Sequence, residues 1–302
     1  MRHIPVLLNE VVTALALRPG ENVIDCTLGD AGHAEKILEK TAPGGKLLGI
    51  DADPESLLRA KQFLYAYGER VMYVRENFSH LKDIVDREKF GPVNAILLDL
   101  GWSSPQFEER GRGFSFLKPE EPLDMRYTVS GEMKTAADLL AQETEADLEK
   151  IFREYGEEKF STEIAHAIVT ERHAAPFQTV AQLIEVILEV YRKRLHSEKE
   201  VPWIGGVHPA TKVFQALRIA VNDELGVVRS VLPHAVDVLA SGGRLAVITF
   251  HSLEDRIVKH FFKSQEQISI RVITKKAVQC SPEEYEANPR ARSAKLRVIE
   301  KL

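Results

Sequence analysis

Apolar residues recur along this chain with two different periods, and the change of period divides it. Over the first hundred positions short apolar runs alternate with helical patterns. Positions 21–26 read as a first strand, 27–33 as the turn feeding a helix over 34–40, and 46–50 as a second strand that ends at Asp51. Pro54 suits the first turn of the following helix, 55–67. A strand over 71–74, a short helix near 80–87 and a strand over 93–98 complete the series. In the last of these only Asn94 interrupts the apolar run, the mark of a strand covered on both faces. Four strands alternating with helices predict βαβ units and a right-handed, doubly wound parallel sheet.

The rhythm breaks after Gln106. Positions 108–131 are charged and rich in Gly, Pro and Arg, and four helical patterns follow without an intervening strand: one opening at Thr135, then 144–155, 160–170 and 180–195. Alternation resumes at His208. A helix there turns Val213, Leu217 and Val221 inward, another covers 227–239, and Ser241-Gly242-Gly243 reads as its C-cap and turn. A fifth strand, 244–250, delivers His251-Ser252-Leu253-Glu254-Asp255, where Ser252 can cap the next helix with Asp255 reaching back. Strands over 268–274 and 294–299 close the sheet, with a loop at 275–293 between them. The predicted architecture is α/β: a Rossmann-like sheet domain over 1–107 and 207–302, interrupted by an all-helical domain over 108–206.

Composition narrows the classes. With 44% apolar and 28% charged residues this is an ordinary globular sequence. No apolar run approaches the roughly 20 residues that cross a bilayer, and Met1-Arg2-His3-Ile4-Pro5 lacks the apolar core of a signal peptide. A cytoplasmic protein with no membrane partner is therefore expected. Cys26 and Cys280 form neither a disulfide framework nor a zinc spacing, and no metal site is expected. A formal charge of -5 gives no global attraction to nucleic acid, so any such binding must use a local basic face. The choice between monomer and homodimer stays open.

The polar residues that follow the strands carry the candidate chemistry. Asp99 ends the strand over 93–98, at the carboxyl edge where open α/β sheets bind ligands. It leads into Gly101-Trp102-Ser103-Ser104-Pro105-Gln106, a tip that Pro105 stiffens. The turn Gly29-Asp30-Ala31-Gly32 is not a dinucleotide fingerprint, since G-x-G-x-x-G would need glycine at 31 and 34 and both are alanine. No Gly-Lys-Ser/Thr follows for a phosphate loop. What remains is a glycine turn and an acid, Asp51, 22 residues after Gly29, a spacing suited to a carboxylate on the hydroxyls of a ribose. S-adenosylmethionine fits, having a ribose and a zwitterionic tail without phosphate, the tail carboxylate facing the helix N-terminus near His33. Another nucleotide-like ligand remains open. Methylation at C5 of a pyrimidine needs a thiolate, which neither cysteine is placed to supply, so N- or O-methylation is favoured.

Long motifs in fixed order add a resemblance. Asp25-Cys-Thr-Leu-Gly-Asp-Ala-Gly-His33, Leu97-Leu-Asp-Leu-Gly-Trp-Ser-Ser-Pro-Gln106, Arg112-Gly-Phe-Ser-Phe116, Pro122-Leu-Asp-Met-Arg126, His208-Pro-Ala-Thr-Lys-Val-Phe-Gln-Ala-Leu-Arg218, Phe250-His-Ser-Leu-Glu-Asp255 and Asn288-Pro-Arg-Ala-Arg-Ser-Ala-Lys-Leu-Arg297 follow one another here. Together they resemble the bacterial small-subunit ribosomal RNA cytosine-N4 methyltransferases over nearly the whole chain. The resemblance implies a class I S-adenosylmethionine-dependent methyltransferase sheet. It also implies methyl transfer to N4 of a cytosine in 16S rRNA near the decoding centre, with the assembled 30S subunit as partner. By it the cofactor contacts fall on Ala31, Gly32, His33, Asp51, Phe78, Asp99 and Gln106. One departure lies among them: the family pattern has Gly-Gly-His where this chain has Ala31-Gly32-His33.

The N4 amine of cytosine shares its lone pair with the ring, so the enzyme must bind both amino hydrogens with acceptors, typically a backbone carbonyl and a side-chain oxygen. Ser103-Ser104-Pro105 resembles the Ser/Asn/Asp-Pro-Pro-aromatic tip of amino-methyltransferases, with Ser in second place and Gln106 where the aromatic stands. Asp99, Ser103 and Ser104 are the candidate catalytic residues, and His251 is a further one or a hydrogen-bonded structural histidine. Trp102, Phe107, Phe114 and Phe116 are stacking surfaces for a flipped base or packing residues. The RNA-binding candidates are Arg110, Arg112 and Arg126 beside the tip, and Arg290 and Arg292, which Asn288-Pro289 projects as a loop before the last strand. For Arg126 a salt bridge to Asp124 is the alternative. Two rival functions stand beside this reading, a DNA amino-methyltransferase and a cofactor-sensing RNA-binding protein without catalysis.

Overall fold

The computed structural model describes residues 4–100, 111–127, 133–196 and 208–302. The chain divides into two compact units, Met1–Ser103 with Leu225–Leu302, and Ser104–Glu224.

In the first unit the described strands are β1 (Val23–Asp25), β2 (Leu47–Asp51), β3 (Val71–Arg75), β4 (Val93–Asp99), β5 (Leu239–Thr249), β6 (Ile270–Val272) and β7 (Lys295–Lys301), in one sheet of order β3-β2-β1-β4-β5-β7-β6. β1 to β5 run parallel, and β7 lies antiparallel between β5 and β6. The order reverses at β1 and β4, the switch point of a doubly wound sheet. Helices α1 (Leu8–Leu15), α2 (Gly32–Lys40), α3 (Pro54–Phe63) and α4 (Leu81–Glu88) connect or flank the first strands. Successive side chains of one strand enter opposite cores: Ile24, Leu48, Ile96 and Leu98 join one, Val23, Leu47, Ala95 and Leu97 the other. Both faces are dry, and for that reason the strands read as unbroken apolar runs; each Leu or Ile so buried contributes about 1.5–3 kcal/mol. This is a Rossmann-like class I sheet.

The second unit is helical: α5 (Ala136–Gln142), α6 (Glu145–Gly156), α7 (Ser161–Glu171), α8 (Val180–Leu195) and α9 (Ala210–Asn222). Phe152 of α6, Ile164 and Ile168 of α7, Leu183 and Ile187 of α8, and Val213 and Leu217 of α9 share its core. The boundary expected at 206/207 therefore differs from the contact boundary at 224/225, because the apolar face of α9 packs on α6 and α8.

The remaining α-helices among the described residues are α10 (Glu224–Val238), α11 (Ser252–Gln265) and α12 (Pro282–Ala287). Three local expectations change. β5 starts at Leu239, so Ser241-Gly242-Gly243 lie inside the strand, where its register against β4 shifts between Val93 and Ala95. The cap of α11 is His251, with Glu254 reaching back, one residue before the expected Ser252 and Asp255 pair. Positions 275–293, expected as loop, contain α12, capped by Ser281 and started by Pro282.

Candidate cofactor and active site

Three acids end three neighbouring strands: Asp25 on β1, Asp51 on β2 and Asp99 on β4. Asp51 is held from both sides. Its Oδ2 accepts the Gly29 N–H at 2.9 Å and its Oδ1 the Asp53 N–H at 2.8 Å. The glycine turn and the second acid, 22 residues apart in sequence, are thus one hydrogen-bonded unit. Asp53 caps α3 through Glu55 and Ser56, and Arg59 on that helix donates from Nε to Asp30 Oδ1 at 2.8 Å, tying the two loops together. The Glu76 N–H donates to the Asp51 carbonyl at 3.2 Å, which brings the turn carrying the half-buried Phe78 beside β2.

Ala31 caps α2 with φ 60° and ψ 29°, the left-handed conformation that its methyl disfavours. Gly32 follows in a tight place: a Cβ there would stand 3.0 Å from the Pro5 ring, which would have to give by a few tenths of an ångström. His33 is buried, its Nε2–H donates to the Val6 carbonyl at 2.9 Å, and its Nδ1 lies 3.8 Å from Asp99 Oδ2. The carbonyl fixes the ring orientation and leaves Nδ1 facing the acid.

Desolvation pushes the carboxyl of Asp25 up to about 7, the neighbouring charge of Asp51 adding to it and the Thr27 N–H and hydroxyl opposing. Asp51 is pushed up to about 6 by desolvation, against the amides of Asp53 and Gly29. Acids that pay this penalty at one sheet edge make a field that favours a cationic ligand, and a sulfonium with an ammonium is such a ligand. Hydroxyl-accepting Asp51 beside a glycine turn without a phosphate cradle fits the ribose of S-adenosylmethionine as well.

The structure therefore gathers Ala31, Gly32, His33, Asp51, Phe78 and Asp99 at one edge. Asp25 was missed by the sequence reading, although the signal used for Asp51 and Asp99, an acid closing an apolar strand, applies to it equally. Ser103, Ser104, Gln106 and Arg110 lie outside the described residues, as do Trp102 and Phe107. His251 stands at the end of β5, and its ring faces Glu254: Nδ1 accepts the Glu254 N–H at 3.4 Å and Nε2 lies 3.1 Å from Glu254 Oε1. His251 thus caps the helix through Nδ1, while its buried Nε2 makes no hydrogen bond to a described residue.

The arginine candidates separate. Arg126 forms a fork on Asp124, with Nε and Nη2 each 2.8 Å from a carboxylate oxygen, and Arg112 donates to the carbonyls of Arg126 and Tyr127. Both guanidinium groups bond within the helical unit, Arg112 through Nη1, on a turn where Met125 takes φ 58°. The structure thus realises the salt bridge at Asp124. Arg290 and Arg292 are exposed, in a short helical turn, Pro289–Ser293, while Arg297 forks on Asp255. Phe116 stacks on His208 with centroids 4.6 Å apart, and Phe114 stacks on Tyr127.

A family model for the MraW methylase family matches residues 1–302. The ribosomal RNA small subunit methyltransferase H of Dictyoglomus thermophilum is 46% identical over 299 residues, covering 99% of this chain and 96% of that protein. The proteins of the same name from Symbiobacterium thermophilum and Dehalococcoides mccartyi are each 44% identical over 316 residues, covering 99% of this chain and 96% and 86% of theirs. A match from end to end, on a switch-point sheet whose carboxyl edge gathers these acids, means that this chain belongs to the MraW methylase family.

Proposed function

We propose that this chain methylates small-subunit ribosomal RNA with S-adenosylmethionine, at N4 of a cytosine near the decoding centre of 16S rRNA, acting in the cytoplasm on the assembled 30S subunit. The observation that carries the reading is the bonded edge itself, where the glycine turn, Asp51 and the His33–Asp99 pair meet at adjacent strand ends. The names of the end-to-end relatives support ribosomal RNA as the substrate class.

Asp51, oriented by the Gly29 and Asp53 amides, accepts the ribose hydroxyls. The N-terminus of α2 at Gly32 and His33 faces the carboxylate of the amino-acid tail. Phe78 lies along the base. S-adenosylmethionine, when bound, supplies an electrophilic methyl on a sulfonium. Asp99 accepts from the substrate amine, and Ser103 and Ser104, four and five residues further on in sequence, offer the second acceptor; together they localise the nitrogen lone pair. Gln106 is a further cofactor contact, as the family resemblance implies. Arg290 and Arg292 meet the phosphates. The second unit contributes substrate recognition.

The test is transfer of labelled methyl to 30S subunits from cells lacking the protein, followed by nucleoside mass spectrometry. N4-methylcytidine in 16S rRNA is expected. Label in another nucleoside, or in duplex DNA and not in 30S subunits, would overturn the reading.

A further inference from the structure

The backbone changes partner strand within three residues after β1. The Cys26 N–H donates to the Leu97 carbonyl of β4, and the Leu28 N–H donates to the Ile50 carbonyl of β2, each at 3.0 Å. Thr27 sits between them, at the point where the sheet splits, and its own N–H turns back to Asp25 Oδ1 at 3.1 Å. β4 runs beyond the end of β1, so the Asp99 N–H has no strand carbonyl of β1 opposite it; it donates instead to Thr27 Oγ1 at 2.8 Å. A hydroxyl has one proton. With its oxygen accepting from Asp99, that proton is left for Asp25 Oδ1, 3.4 Å away. The direction of the chain is thereby set: Asp99 amide to Thr27 hydroxyl to Asp25 carboxyl.

We propose that Thr27 is a positioning residue of the methyl-transfer site, its hydroxyl tying the backbone of Asp99 to the buried Asp25 and so setting where the Asp99 carboxylate stands against His33. This rests on the cofactor reading given above. The residue types agree with the role. Asp25 is 1% exposed and takes both the N–H and the hydroxyl of Thr27, and the Asp99 amide needs an acceptor; a methyl in place of the hydroxyl leaves Asp25 with the backbone donor alone and the amide without its acceptor. β5 pairs with β4 as far as Asp99, but on the other side the pairing with β1 stops at Leu97, and there the Thr27 hydroxyl takes the place of the strand.

Thr27→Val keeps the shape and removes the hydroxyl; Thr27→Ser keeps the hydroxyl. Calorimetric titration of each folded protein with S-adenosylmethionine is expected to give a Kd raised about tenfold or more for Thr27→Val and within about threefold of wild type for Thr27→Ser. The KM for S-adenosylmethionine should follow the Kd in both. Loss of melting temperature without loss of affinity in Thr27→Val, or equal loss of affinity in Thr27→Ser, overturns the proposal. If Thr27→Val does not fold, Thr27→Ala, which also lacks the hydroxyl and crowds nothing, is compared with Thr27→Ser on the same scale. Wild-type protein that fails to bind S-adenosylmethionine would instead remove the cofactor reading; wild-type binding with an unaffected Thr27→Val removes only the role of Thr27.

Discussion

Two carboxyls at the sheet edge, Asp25 at about 7 and Asp51 at about 6, lie above the ordinary aspartate value of 3.8. Over that interval the folded chain holds protons that the unfolded chain has released. Stability from these two groups is therefore full below about pH 4 and is lost as pH rises through about 6 and 7. Asp124 and Asp255 work in the opposite sense. Burial opposes their ionisation, but the forks from Arg126 and Arg297 outweigh it and hold both low, so their contribution is lost as pH falls below the ordinary range. Asp25→Asn should flatten the fall in melting temperature between about pH 4 and 7, measured by thermal unfolding across buffers; a slope as steep as wild type would put the titrating group elsewhere. Ala31 is a second case in which terms oppose. Replacing it with glycine relieves about 1–2 kcal/mol of left-handed strain, but removes a buried methyl worth about 0.8 kcal/mol and adds about 0.4–1 kcal/mol of unfolded-chain entropy. Ala31→Gly should thus unfold in denaturant within about 1 kcal/mol of wild type. The departure from the family glycine is tolerated because the methyl it adds is buried.

At the scale of elements, close approach decides what pattern alone does not. Gly156 ends α6 where that helix touches α9, and a Cβ there would stand 2.6 Å from the Lys212 carbonyl and 3.3 Å from the Ala216 Cβ. Backbone cannot yield as a side chain does. Gly156→Ala is expected to destabilise the helical unit by about 1–3 kcal/mol, despite alanine's better helix propensity. Chemical denaturation followed by circular dichroism checks this, and an unchanged midpoint would mean that α6 and α9 separate freely.

Across the whole molecule, a charge of -5 leaves ribosomal RNA to be met by local basic faces. Of the arginines considered, Arg112 and Arg126 are committed to internal bonds, and Arg290 and Arg292 stand exposed beside the last strand. Neutralising both as Arg290→Gln and Arg292→Gln should weaken RNA binding at low salt and reduce the slope of log affinity against log salt by roughly 1.4, with the affinity for S-adenosylmethionine unchanged. Filter binding across a salt series reads the slope, and a slope equal to wild type would remove these residues from the RNA contact. Among the described residues no helix is long and apolar enough to cross a membrane.

Sequence by itself determined the elements and most of the acids. Alternating apolar runs placed β1 to β4 within a residue or two and the carboxyl end of β5 within one, and Asp51 and Asp99 were legible because a carboxylate that ends a buried strand has one edge at which to emerge. The tertiary structure alone decided what depends on neighbours distant in sequence. β7 enters antiparallel between β5 and β6, and α9 chooses the helical core over the sheet. His251 caps α11 because Glu254 bonds the amides of Phe250 and His251, where spacing allowed Ser252 equally well. Arg126 turns inward to Asp124. Thr27 acquires a role only because β1 stops pairing with β4 at Leu97, leaving the Asp99 amide to find an acceptor. Periodicity reports which side of an element is dry, since burial acts on each residue locally; a hydrogen bond reports which two elements are adjacent, and adjacency is a property of the folded chain.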